Sequence, residues 1–330
     1  MNMRRVMSVA ALLLGMTLNV AQPVTAQVER RPPAQPVIFD TDIGDDIDDV
    51  LALGLILSSP ELKLVGVTTA WGDTALRARL VDRLLADNGV HNVPVLQGIE
   101  KHHPGEANFS QAVWARHGPV ANHADAVSFL LAQARLHPNE LTLISVGPMT
   151  NLGAALDRDP EGFRKLKRVV MMGGSVRSGY NDFGYTGTHR VDAEYNIAMD
   201  PEAAAKVFQS GVPLFVMPLD STQIKLGELQ QQLLFTHGSP LTDALTLLYH
   251  QWSRATKQLT PTVFDAMAVA FTIEPDLCPT VPMHLDVDEK GYTREQSGTP
   301  NAQVCLHSDT DQFFRFYMPR LLEELPKTAP

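Results

Sequence analysis

Residues Val37 to Leu53 read V-I-F-D-T-D-I-G-D-D-I-D-D-V-L-A-L. Val37, Ile38 and Phe39 suit a strand enclosed on both faces, and Val50, Leu51, Leu53 and Leu57 recur at helical spacing. Six aspartates, Asp40, Asp42, Asp45, Asp46, Asp48 and Asp49, therefore share one strand-to-helix turn. Like charges this close disfavour one another's ionisation, and a hard divalent cation removes the conflict. Calcium takes carboxylate and carbonyl oxygens, six to eight at a time, at roughly 2.3–2.6 Å. The N–H groups at the start of the following helix also favour Asp48 and Asp49 as anions. One or two aspartates there would be ordinary capping residues; six point to a metal or catalytic role. An EF-hand loop is excluded, because Gly44 occupies the fifth position, where a ligand is needed, and no Glu closes the loop.

Outward from this turn, strand-like runs alternate with helical ones. Leu64–Thr69 precedes Ala75–Asn88, Val93–Leu96 precedes His123–Leu136, and Leu141–Val146 precedes Thr150–Leu156. Arg168–Met172, Pro201–Phe208 and Leu214–Met217 continue the series. This predicts an α/β fold, an open and mostly parallel sheet with helices on both faces. No composition shift divides residues 37–330, which read as a single domain. The polar stretch Ile224–Gln258 reads as an insertion or lid, and Asp311–Glu324 as an outer helix.

The first 26 residues read as an export signal. Arg4 and Arg5 precede an apolar run from Val6 to Val20, interrupted by Ser8, Gly15, Thr17 and Asn19, and Val24-Thr25-Ala26 offers a small-residue cleavage site. The run is short for a transmembrane anchor, the alternative reading. Cleavage after Ala26 predicts a periplasmic or secreted protein with no stable membrane anchor, and leaves residues 27–36 as a short Pro-rich leader. It removes two arginines and no acids, so the net charge of −10 becomes −10 − 2 = −12. Such a surface disfavours nucleic acid. Cys278 and Cys305 lie in two late strand-like segments; in an exported protein they could pair, but sequence does not place their Cα atoms within bridging distance.

Ligands of open α/β sheets collect beyond the carboxyl ends of strands. The polar residues found there include Trp71-Gly72-Asp73, Val146-Gly147-Pro148-Met149-Thr150-Asn151 and Met172-Gly173-Gly174-Ser175. Further along stand Glu194-Tyr195-Asn196, Asp200-Pro201-Glu202, and Asp265 at the start of an apolar helix.

Six stretches of the chain, in order, resemble the inosine-uridine preferring nucleoside hydrolase family. They are D-T-D-x-G…D-D from Asp40, V-T-T-x-x-G-D from Val67, G-P-M-T-N-L from Gly147, V-V-M-M-G-G from Val169, A-E-Y-N-I-A-M-D-P-E-A-A from Ala193 and F-D-A-M-A-V-A from Phe264. The resemblance runs from about Val37 to the C-terminus. It implies the family's Rossmann-like fold, cleavage of the N-glycosidic bond of ribonucleosides, and a homodimer or homotetramer.

By position, the resemblance implies calcium held by Asp42, Asp49, Asp265 and the backbone carbonyl of Val146. Asp48 falls at the catalytic base. Two more residues lie between Asp42 and the acidic pair than in the shortest family versions, and the helix that follows anchors Asp48-Asp49 as that pair. Asp46 stays open as an extra ligand or a rival base, Asp40 as a support behind the site, and Asp45 as a solvated or capping residue. Substrate contacts are implied for Met172, Asn181, Glu194 and Asn196, for Asp73 in W-G-D, and for Trp252 as an aromatic cover over the base. In well-known members a histidine precedes the late metal aspartate and assists departure of the base. Here that residue is Phe264, which cannot donate a proton. His117, in A-R-H-G, is the substitute acid this reading offers.

The chemistry accounts for these residue types. Breaking a ribosyl C–N bond develops positive charge on C1′ and the ring oxygen, which anionic surroundings stabilise. A cation orients water and ribose hydroxyls while a carboxylate takes the water's proton. Two other readings compete. A haloacid-dehalogenase-like phosphatase also begins with a buried strand and D-x-D, but Gly44 stands where that family wants Thr or Val. A nucleoside- or sugar-binding protein without turnover would share the fold, and retention of Asp48 beside the ligand set argues against it.

Overall fold

The computed structural model describes residues 33–102, 109–182 and 189–323. The expected export signal and all but the end of the Pro-rich leader lie outside the described residues. Among the described residues eleven strands form: β1 (Gln35–Thr41), β2 (Leu62–Thr69), β3 (Val95–Gln97), β4 (Ala124–Asp125), β5 (Thr142–Ser145), β6 (Arg168–Met172), β7 (Leu214–Met217), β8 (Thr280–Met283), β9 (Leu285–Val287), β10 (Thr293–Glu295) and β11 (Ala302–Cys305). Nine make one sheet in the order β4-β3-β2-β1-β5-β6-β7-β11-β8, parallel throughout except for β8 against β11; β9 and β10 pair separately.

The apolar runs of the central strands feed two cores, because successive side chains alternate between faces. Val37 and Phe39 of β1, Ile144 of β5 and Val170 of β6 enter one core, whereas Ile38, Leu143, Val169 and Met171 enter the other. Helices Asp48–Leu57, Thr74–Asp87, Pro240–Thr256, Ala266–Ile273 and Thr310–Leu322 cover the first face. Ala126–Leu136, Thr150–Arg158 and Pro201–Phe208 cover the second.

β1 lies between β2 and β5, and the strand order reverses between β1 and β5. At such a switch point the connections depart to opposite faces and open a crevice beyond the strand ends. The aspartate turn leaves β1 there, and Val146 follows the end of β5.

Two expectations change. Pro240–Thr256, expected in an insertion or lid, is instead an amphipathic helix that buries Leu241, Leu245, Leu248, Tyr249 and Trp252. Ser239 caps its start in a reciprocal pair with Thr242, and its length and apolar stripe bind it to the core. The cysteines, left open by sequence, form a disulfide with Cα atoms 5.5 Å apart, because antiparallel pairing brings Cys305 opposite Thr280.

Candidate active site

The aspartate turn is held from behind. Gly44 has a φ of +127°, and a Cβ there would run into the ring of Phe109, so only glycine allows both the backbone and the close contact. Arg77, from the Thr74–Asp87 helix, is 2% exposed. Its guanidinium donates to the carbonyls of Trp71 (2.7 Å), Ile43 (3.0 Å) and Asp42, and pairs with Asp45 at 2.6 Å. Asp45 is thus neither a free solvated residue nor a cap, since a buried cation needs an anion. Sequence reading passed over Arg77, although its place on an apolar stripe with Leu80, Val81, Leu84 and Leu85 is a signal: a charge there is buried and must be paired.

Asp48, Asp49 and Asp265 come together with one ligand oxygen from each within 4.8 Å of the others, all buried. Asp48 and Asp49 open the Asp48–Leu57 helix, and Asp265 precedes Ala266–Ile273. Those two helices pack against each other, which joins residues more than 200 positions apart. Asp49 accepts from the Thr41 hydroxyl. Asp42, 7% exposed, lines the same cavity. Burial pushes its carboxyl up to about 7, against the pull of Arg77. Burial, then the neighbouring carboxylates, raises Asp48, Asp49 and Asp265 well above the usual range. With the positive charge of Arg77 spent on Asp45 and on carbonyls, this oxygen-only cluster is short of a cation. It fits a hard divalent ion.

Behind it, Asp40 accepts from Thr68 Oγ1 (2.5 Å) and Asn151 Nδ2 (2.8 Å), and burial raises it to about 6. Asp46 is exposed, and its carboxylate accepts from the Ile47 N–H at 2.7 Å.

A cavity of about 570 Å³ opens above the cluster. Asp42, Asp46, Asp48, Asp49 and Asp265 line it, as do Val146, Met172, Glu194 and Asn196, with Trp252, Phe264, Tyr180 and Tyr195 as its aromatic walls. Glu194 caps the Tyr195–Ala198 helix, accepting from the N–H groups of Asn196 (2.9 Å) and Ile197 (3.2 Å), and also from Gly174 (2.8 Å). Burial, opposed by these bonds, raises it to about 7. Asn196 Nδ2 donates to the carbonyls of Val146 (2.9 Å) and Met172 (3.1 Å), tying together the ends of β5 and β6.

Three residues expected at the substrate are not among those lining this cavity. Asp73 is exposed and caps the Thr74–Asp87 helix through Leu76 N–H at 2.9 Å; it lines a neighbouring cavity instead. His117 is exposed and ends the short Ala112–Arg116 helix. Asn181 is exposed with a φ of 59°, and its N–H donates to Gln223 Oε1 at 2.7 Å. The physical reason is local: a cap and a helix end hold the first two at the surface, and a turn holds the third.

Sheet and pocket together define a doubly wound α/β enzyme class, with a buried carboxylate centre at the switch point and an aromatic-walled pocket for a small molecule. The profile of the inosine-uridine preferring nucleoside hydrolase family matches residues 37–315. The pyrimidine-specific ribonucleoside hydrolase RihA of Citrobacter koseri is 30% identical over 319 residues, covering 87% of this chain and 98% of that protein. An uncharacterized protein of Schizosaccharomyces pombe is 35% identical over 199 residues, a match spanning 56% of this chain and 61% of that protein. Among solved structures, a purine-preferring ribonucleoside hydrolase from Gardnerella vaginalis superposes with a TM-score of 0.71 at 26% identity, covering 87% of this chain and 98% of its own. The chain belongs to the inosine-uridine preferring nucleoside hydrolase family, and is a hydrolase of N-glycosyl compounds.

Proposed function

We propose that the protein hydrolyses ribonucleosides to ribose and free base, with calcium held by Asp42, Asp49, Asp265 and the Val146 carbonyl. The observation that carries this reading is the convergence of Asp48, Asp49 and Asp265 within 4.8 Å at the floor of the pocket. When bound, a hard cation supplies charge neutralisation, a lowered water pKa and a template for ribose hydroxyls. Asp48, in the same ring of carboxylates, takes the proton of the attacking water. The remaining negative charge stabilises the positive charge that grows on the ribosyl carbon. Glu194 and Asn196, fixed by their backbone bonds, accept and orient ribose hydroxyls, and Trp252 borders the base. Asn196 also sets the orientation of the Val146 carbonyl by donating to it.

Export to the periplasm or exterior is supported by Arg4, Arg5 and the apolar run after them, and by a disulfide, which persists in oxidising compartments. Among the described residues no helix is long and apolar enough to cross a membrane. Assembly as a homodimer or homotetramer follows the family tendency and is read by light scattering.

The test is product analysis of the purified protein on a panel of purine and pyrimidine ribonucleosides, with and without a calcium chelator. Release of ribose and base that stops on chelation and resumes with calcium is expected. Tight nucleoside binding without turnover would make the protein a binder, and turnover indifferent to chelation would remove the metal.

A further inference from the structure

The pocket contains no histidine among its described lining residues, and Phe264 has no proton to give. Most polar donors on its wall are already committed. Ser110 Oγ donates to the Asp45 carbonyl at 2.5 Å, Thr256 Oγ1 to the Trp252 carbonyl at 2.9 Å, and Asn196 Nδ2 to two strand-end carbonyls. Tyr180 differs. Its hydroxyl accepts the Tyr195 N–H at 3.0 Å, and among the described residues it donates to nothing. A phenol oxygen whose lone pair is engaged in this way keeps its proton free for a ligand.

The tyrosine is also held in place. Its N–H donates to Asp192 Oδ2 (2.8 Å), and Gln223 receives the next N–H (2.7 Å) while donating to the carbonyl of Gly179 (3.0 Å). Just before it, Val176, Arg177 and Ser178 all donate their N–H groups to the Asp220 carboxylate. Its ring meets Phe264 edge-on, with centroids 6.3 Å apart and planes at 86°. Tyr180, Phe264 and Asp265 line the same cavity, so the phenol stands on the aromatic wall of the pocket that holds the carboxylate cluster.

We propose that Tyr180 is the hydrogen-bond donor that assists departure of the base, in the place Phe264 leaves without one. This rests on the nucleoside-hydrolysis reading. As the C1′–N bond breaks, its electron pair goes to the base, and the phenolic O–H stabilises the heteroatom that gains it. The water oxygen forms the new C1′–O bond, its proton goes to the carboxylate, and the departing base, held by the phenolic hydrogen bond, takes its proton from solvent. A phenol is protonated at neutral pH in any case, and desolvation at the pocket wall, then the Glu194 charge, raises its pKa further, which suits it to donate a hydrogen bond rather than to ionise.

Tyr180→Phe keeps the ring and removes only the hydroxyl. It is compared with wild type on uridine and inosine, and on p-nitrophenyl riboside, whose leaving group departs as a stable anion. The expected result is a loss of kcat of about 100-fold on the nucleosides and less than about threefold on the p-nitrophenyl riboside. Tyr180→His, which restores a ring donor, should recover part of the loss on nucleosides. His117→Ala serves as control and should change both substrates by less than about twofold, as surface changes do. Equal losses on both substrate types, or the selective loss appearing in Tyr195→Phe instead, would overturn the proposal. If wild type cleaves none of the substrates, the nucleoside-hydrolysis reading itself fails.

Discussion

Chelation should destabilise the protein in a way that grows with pH. In the metal-free protein Asp42 titrates at about 7, against 3.8 for an unperturbed carboxylate. Between those values the folded state binds a proton that the unfolded state has lost, so stability falls as pH rises. At about 1.4 kcal/mol per unit, a shift of about 3 units costs the metal-free protein roughly 4 kcal/mol by the time pH exceeds 7. Asp48, Asp49 and Asp265 shift in the same direction and add to it. Calcium-bound carboxylates stay ionised, and this penalty is absent. Asp40 and Glu194, raised to about 6 and about 7, titrate as well. Because they belong to both forms, the difference between the forms is the quantity to measure. Scanning calorimetry in EDTA and in saturating calcium, from pH 5 to 8, should show a calcium-induced gain in Tm that widens by on the order of 10 °C across the range. Titration calorimetry in buffers of different ionisation enthalpy should show protons released on binding. A calcium gain independent of pH, with no proton release, would refute the argument that buried, cation-starved carboxylates make the site.

Asp48→Asn should lower turnover by roughly 100-fold or more while calcium still binds; the same loss from Asp46→Asn, with Asp48→Asn active, would make Asp46 the base, and loss of calcium with Asp48→Asn would make Asp48 a ligand. Arg77→Met should destabilise by about 3–5 kcal/mol in urea titration, because it leaves Asp45 and three carbonyls without their partner; a change below about 1 kcal/mol would show that the turn holds itself. Mass spectrometry of exported protein should find a mature N-terminus at or near Gln27, and an intact Met1 on cytoplasmic protein would contradict the export reading.

Much of the architecture was legible from local pattern. The three apolar residues before Asp40 and the 3.6-residue rhythm after Asp49 place the aspartate turn between a buried strand and a helix, as observed. The same alternation marked β2, β5, β6 and β7 and the helices that follow most of them, since a strand buried on both faces is apolar along its length. Asp265, Glu194 and Asn196 were found by motif order and do line the pocket. What the chain could not disclose were contacts between distant segments. Asp73 and His117 are the exceptions: a local cap through Leu76 and the end of the Ala112–Arg116 helix, not a distant contact, keep them off the pocket wall. Tyr180 lies in an irregular loop with no period to read, and only the packing of that loop on Phe264 brings it to the pocket. The role of Arg77 and the pairing of Cys278 with Cys305 have the same origin. Sequence determines which residues prefer strand, helix, turn or burial, through interactions over a few positions; tertiary packing decides which polar groups meet across the sheet, because their partners lie tens to hundreds of residues away.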